Sequence, residues 1–239
     1  GTFFWKDLTV GMESYVSGRV LAATSARWGN SLSRKIDDLD RAVGWLIEFN
    51  RQTESRRVEW GGAELAEWST RPLDCYEAIF GLTPGERSLF DKARQRHREL
   101  AGSTFPIVWY HYAFSSWNIC RQNDDIGVFD WESAEHGPAL FDLIYLVFRW
   151  HQEIARSHGK NGHLRAFRAL LLTDPNGSAV SCAIQGAVAR YMASMRIDPR
   201  PFPLSLLAIL ARHAYSRDDH SQRPLLPRRA VLRGTAYIR

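Results

Sequence analysis

Residues 111–148 read HYAFSSWNICRQNDDIGVFDWESAEHGPALFDLIYLVF. A His, an Asn, an Asp-Trp-Glu and a second Asp are spaced through a span that is otherwise rich in apolar residues. Asn118 and Asp130 are hard oxygen donors on either side of a polar RQNDD segment. Mg2+ takes one or two carboxylates and completes its shell with water and substrate phosphates. An Asn at one strand start and an Asp at the facing strand end suit one such ion. The same two residues also suit plain capping of a turn and a loop. Asp142 lies within GPALFDLIYLVF, where an unpaired carboxylate is costly. It reads either as a direct ligand or as a buried anchor for the loop around His111. His111 ends a strand and reads either as a general base or as a buried, hydrogen-bonded structural histidine.

Outward from this stretch, the composition is that of a globular chain. It has 239 residues, 45% hydrophobic and 24% charged, with nine Trp and twelve Phe for a substantial core. That is enough for one large domain or two small ones. No apolar run reaches bilayer-spanning length; the longest, ALFDLIYLVFRW, is interrupted by Asp142. No basic-then-apolar leader opens the chain. Cys75, Cys120 and Cys182 form no closely spaced pair, which argues against a zinc site and suits a reducing, cytoplasmic location. The net charge is +5, and much of the surplus sits in the tail RPLLPRRAVLRGTAYIR. No nucleic-acid-reading motif accompanies it, so neither nucleic acid nor a membrane is an expected partner. Mild basicity suits phosphorylated ligands or a solvated tail.

Periodicity supplies the coarse architecture. Residues 3–18 combine β-branched and aromatic residues and end at Ser17-Gly18, predicting one or two short strands. Ile36, Leu39, Val43, Leu46 and Ile47 recur at helical spacing and predict a helix over 34–53. ESRRVEWGG reads as a polar linker, with a helix in 62–80 after it. Thr83, Pro84 and Glu86 form a capping-box start to a helix ending near Leu100. PIVWYH and IGVFDW read as two short strands forming a hairpin-like pair across the RQNDD loop. Helices are predicted at 139–157, 162–173, 178–196 and 203–216. The fold class is α+β and mainly helical.

Three blocks now stand in order: His111-Tyr112-Ala113-Phe114 with Asn118, Asp130-Trp131-Glu132, and Gly137-Pro138 with Asp142-Leu143. This resembles the catalytic core of the aminoglycoside phosphotransferase and choline kinase-like superfamily. Its pattern runs approximately H-G-D-F-x-x-x-N-I, a hairpin, I-D-W-E, then a Gly/Pro segment and D-L at a helix start. The resemblance spans 108–148 directly. It implies a protein-kinase-like C-terminal lobe over 21–222 with a short catalytic hairpin. Residues 1–20 would then be the hinge and a remnant of N-lobe strands, and 223–239 a basic tail. It also implies phosphoryl transfer from ATP, with Mg2+, to a small-molecule hydroxyl of aminoglycoside, sugar or amino-alcohol type. Carried over, Asn118 and Asp130 are the metal ligands, Asp142 supports the loop, and Glu132 is an outer residue. Glu13 and Tyr15, in MESYVSGR, would meet the adenine. Trp150 and Tyr191 are candidate linings of an acceptor pocket among the C-terminal helices.

Two departures qualify the resemblance. Ala113 stands where the family has the acceptor-positioning Asp, and Tyr112 where it has Gly. A methyl group neither accepts a proton nor orients a hydroxyl. No Gly-rich loop or strand Lys precedes the hinge, and the chain begins GTFFWKDL, so it reads as a piece of a larger protein. The expectation is a phosphotransferase lobe impaired at position 113. The alternatives are a pseudokinase that binds or scaffolds without transfer, and a helical interaction domain with no ligand.

Overall fold

The computed structural model describes residues 2–5, 8–11, 16–25, 30–60, 62–154 and 178–220. Strands β1 (Thr2–Trp5) and β2 (Leu8–Gly11) form an antiparallel hairpin. Then come β3 (Arg19–Val20), α1 (Leu21–Ser25) and α2 (Leu32–Thr53). The middle of the chain holds β4 (Arg56–Glu59), α3 (Ala63–Ser69), α4 (Arg71–Phe80) and α5 (Pro84–Glu99). Strands β5 (Thr104–Tyr110), β6 (Ile119–Gln122), β7 (Asp125–Val128) and β8 (Glu135–Pro138) follow. Helices α6 (Leu140–Ile154), α7 (Ala179–Ser194) and α8 (Phe202–His220) complete the described order.

Local sequence explains the firmest elements. Ser31 caps α2, its hydroxyl accepting from the Arg34 amide, and the apolar stripe Leu39, Ala42, Val43, Leu46, Ile47 is buried. The predicted capping box at α5 is present in both halves: Thr83 Oγ1 accepts from the Glu86 amide, and Glu86 Oε2 accepts from the Thr83 amide. Residues 62–80, expected as one helix, hold two, α3 and α4, meeting at Thr70. The predicted helix over 162–173 and the tail over 223–239 lie outside the described residues.

The strand pairing corrects the sequence expectation. PIVWYH and IGVFDW are not partners. IGVFDW contributes to β7, which pairs with β6 through the two-residue turn Asn123-Asp124, where Asn123 takes a left-handed φ of 55°. β3 extends this hairpin to a sheet ordered β3-β6-β7. PIVWY lies in β5, the centre of a second sheet ordered β4-β5-β8, and His111 follows the strand's end. Central position explains why Phe105 to Val108 are all buried rather than alternating. The expected linker ESRRVEWGG supplies β4. As an edge strand it carries charge, which hid its pairing. Arg57, for example, donates to Glu54 Oε1 at 2.9 Å and to the Arg196 carbonyl at 3.1 Å. β8 escaped notice too, being only Glu135-His136-Gly137-Pro138. Gly137 is required there: a Cβ would stand 2.5 Å from the Tyr110 ring.

α6 runs through the core, and Leu140, Leu143, Ile144, Leu146, Val147 and Trp150 are all buried along it. It packs against α1, α2, α7 and α8. The loop between β5 and β6, residues 111–118, is therefore held between a central strand, a short hairpin and this helix. Among the described residues, no helix is long and apolar enough to cross a membrane.

Candidate functional site

The three sequence blocks converge on the 111–118 loop. Asp142, in the first turn of α6, is 1% exposed. Its Oδ2 accepts the His111 amide at 2.6 Å and its Oδ1 the Tyr112 amide at 3.1 Å. Burial pushes its carboxyl up to about 7, against the downward pull of those two amides. Asp142 is thus the buried anchor; both oxygens face the loop backbone.

His111 is fully buried. Its Nε2 lies 2.7 Å from the Phe129 carbonyl, and its Nδ1 accepts the Ala113 amide at 3.3 Å. That pairing selects the Nε2–H tautomer and occupies both ring nitrogens. Burial holds its pKa below the usual histidine value, outweighing the Phe129 carbonyl and the Asp130 charge. The ring lies tilted against Trp131 with centroids 4.7 Å apart, and the Trp131 indole donates to the Val128 carbonyl. Of its two sequence readings, the structural one fits this geometry.

Tyr112 has φ 73°, in the left-handed region that favours glycine. Turning two consecutive amides toward one carboxylate accompanies that conformation. Its ring lies 5.6 Å from the Arg212 guanidinium. Arg212 also covers Trp68 at 4.6 Å and pairs with Glu135 at 2.7 Å. Tyr110, Tyr112, Phe141, Tyr145, Ile209 and Arg212 enclose a cavity of about 20 Å³, room for about one water.

Asn118 and Asp130 are brought together. Asn118 Nδ2 donates to the Ala113 carbonyl at 3.1 Å and makes a longer contact, 3.4 Å, with Asp130 Oδ2. With Nδ2 so committed, Asn118 Oδ1 has no hydrogen-bond donor among the described residues. Asp130 takes φ 69° at the end of the hairpin and is exposed, as is Glu132. The donor set is hard oxygen, open to solvent on one side. Among the described residues no group of three His, Cys, Asp or Glu forms a closed cage. An open Asn–Asp pair fits Mg2+, which keeps waters and phosphates in its shell.

One expectation is corrected. Trp150 and Tyr191 are core residues, 1% and 0% exposed. Trp150 Nε1 donates to the Lys35 carbonyl, and the Tyr191 hydroxyl joins Asn50 to the Ala139 carbonyl. Neither lines the cavity beside Tyr112. Glu13 and Tyr15 lie outside the described residues. Sequence reading also missed three supports. Arg121 in β6 bonds Asp37 and the buried Asp38 of α2, tying the hairpin down. Ser116 donates to the buried Glu153 of α6. Arg212 comes from α8. Only Glu153 left a sequence signal, an acid in a strongly apolar helix.

The model of the Phosphotransferase enzyme family, APH, matches residues 5–171. No curated protein matches the chain. Among solved structures, a glucosamine kinase in crystal form B superposes with TM-score 0.52 at 18% identity, covering 83% of this chain and 54% of that one. A glucosamine kinase in complex with glucosamine, ADP and inorganic phosphate gives TM-score 0.52 at 17% identity, covering 83% and 55%. Amicoumacin kinase hAmiN in complex with AMP-PNP, Ca2+ and Ami gives TM-score 0.47 at 12% identity, covering 89% and 58%. The chain thus spans just over half the length of these solved structures.

Proposed function

The chain belongs to the Phosphotransferase enzyme family, and from that premise we propose that it supplies the metal-nucleotide half of a small-molecule kinase site whose acceptor base is absent. One observation carries the reading. The Asn118 Nδ2 group donates to the Ala113 carbonyl and reaches toward Asp130 Oδ2, so Asn118, whose Oδ1 takes no donor among the described residues, and the exposed Asp130 carboxylate meet at the end of the hairpin. The glucosamine kinase complex, with ADP and phosphate bound, supports nucleotide use by this fold.

In this reading Asn118 and Asp130 hold Mg2+. The ion, when bound, neutralises charge on the nucleotide phosphates. The chain's own residues do the positioning. Asp142 fixes the amides of 111 and 112, His111 ties the loop to Phe129, and Arg121 holds the hairpin on α2. At position 113 no group takes the proton of an acceptor hydroxyl. Positioning and electrostatics carry most of phosphoryl transfer, so slow transfer to a sugar- or amino-alcohol-type hydroxyl remains compatible with this site. The second reading, a pseudokinase that binds nucleotide without transfer, is favoured by the same Ala113.

The test uses the full-length protein. Mg2+-dependent binding of AMP-PNP is expected by calorimetry, and Asp130→Ala should abolish it. Binding that survives Asp130→Ala unchanged would overturn the metal assignment. Ala113→Asp, with and without Tyr112→Gly, is expected to raise ATP turnover with amino-sugar acceptors. No gain from either would refute the claim that the base alone is missing.

A further inference from the structure

Helix α6 carries two buried acids. Asp142 sits in its first turn and Glu153 in its last, eleven residues on, both among its buried residues. Eleven residues are about three turns, which returns to the same face. Asp142 is at the favourable end, where helix dipoles stabilise negative charge. Glu153 is at the wrong end, and it is only 8% exposed. Burial pushes its carboxyl above the usual range. An apolar residue would sit there at lower cost, so the acid's presence asks for a reason.

Its partner supplies one. Ser116 is fully buried, and its hydroxyl donates to both carboxylate oxygens of Glu153. The Ser116 carbonyl accepts the Ala22 amide of α1 at 2.8 Å. Ser116 thus has no freedom of its own, and it lies two residues before Asn118. Next in the chain, the Asn118 amide closes a turn onto the Ser115 carbonyl at 2.9 Å. One helix therefore grips the loop at both ends: Asp142 at residues 111 and 112, Glu153 at residue 116.

We infer that Glu153, acting through Ser116, is a positioning residue that sets where Asn118 presents its oxygen to a nucleotide-bound divalent cation. This rests on the metal-nucleotide reading above. Partners that orient a ligand from behind are worth about tenfold or more in metal affinity.

The test measures AMP-PNP affinity of the full-length protein with Mg2+ and with EDTA, beside hydrogen exchange. Glu153→Ala and Ser116→Ala should each weaken Mg2+-supported binding by about tenfold and change binding in EDTA by less than twofold. The double variant should be no worse than either single one. Glu153→Gln still offers Ser116 an acceptor and should keep most of the affinity. Exchange over 113–122 should quicken in both alanine variants while α5 stays unchanged. Equal loss with and without Mg2+, or no loss in well-folded variants, would overturn the inference. If Glu153→Ala fails to fold, Ser116→Ala and Glu153→Gln decide by the same criteria. If the wild type shows no Mg2+-supported binding, the metal-nucleotide reading fails, and unchanged exchange over 113–122 in Ser116→Ala overturns the clamp as well.

Discussion

Asp142 sets two physical effects against each other, and a single substitution separates them. The carboxylate accepts two backbone amides, which favours its charged form. It is also completely buried, which favours the neutral form. Burial wins, placing its carboxyl at about 7 against an ordinary 3.8. The sign follows from linkage. A carboxyl whose folded pKa lies above its unfolded one binds protons more tightly in the folded chain. Its contribution to stability is therefore fully present below about pH 4 and is lost as pH rises through about 7. About 3 pH units at 1.36 kcal/mol each bound the effect at roughly 4 kcal/mol, of which about 3 kcal/mol falls between pH 8 and pH 5.

Asp142→Asn removes the titration and keeps the shape. It also turns an NH2 group toward one loop amide, a mismatch costing about 1–3 kcal/mol at every pH. Urea melts of both proteins from pH 5 to pH 8 isolate the group, because the titrations of His97, His111 and His151 are common to both and cancel. The stability advantage of the wild type over Asp142→Asn should grow by about 3 kcal/mol as pH falls from 8 to 5. A gap that is flat with pH would mean that the carboxyl does not titrate in this window. A gap that widens as pH rises would mean that the two amides outweigh burial, reversing the argument.

Other substitutions test neighbouring supports. Tyr112→Ala and Tyr112→Gly both remove the ring, but only glycine relieves a φ of 73°. The glycine variant should be the more stable of the two by about 1 kcal/mol in denaturant melts. Arg121→Leu strands the carboxylate of Asp38, which is 1% exposed. It should cost about 3–5 kcal/mol, and adding Asp38→Asn should recover part of that loss. Thr83→Ala breaks the capping box of α5 and should cost about 1 kcal/mol, read as a Tm lower by about 2–4 °C.

What the sequence disclosed and what it hid divide along sequence separation. The capping box of α5 involves Thr83 and Glu86, three residues apart, and both its bonds were legible. The stripe of α2 was legible for the same reason. The convergence of Asn118 and Asp130 followed from their residue types and a short gap. The pairing of β5 was not legible. Its partners β4 and β8 are an edge strand full of charge and a four-residue strand without alternation. Arg121 with Asp38, Ser116 with Glu153 and Arg212 with Glu135 bridge 83, 37 and 77 residues. Such contacts are fixed by tertiary packing, which local pattern does not encode. Trp150 and Tyr191 show the opposite error: large aromatics near a site were read as lining, yet their polar atoms are bonded inside the core.

The two departures at residues 112 and 113 differ in kind. Tyr112 bears the cost of a left-handed backbone conformation that glycine adopts freely. The left-handed φ is held by Asp142, which draws the amides of 111 and 112 to its two oxygens. The bulk added by the ring is met by Arg212 from α8. At Ala113 the amide reaches His111 Nδ1 and the carbonyl takes Asn118 Nδ2. Every bond that shapes the loop at 113 therefore comes from the main chain, and none from the side chain. The loop's architecture and its acid-base chemistry are separable at this position. That is why a carboxylate placed at 113 tests chemistry rather than folding.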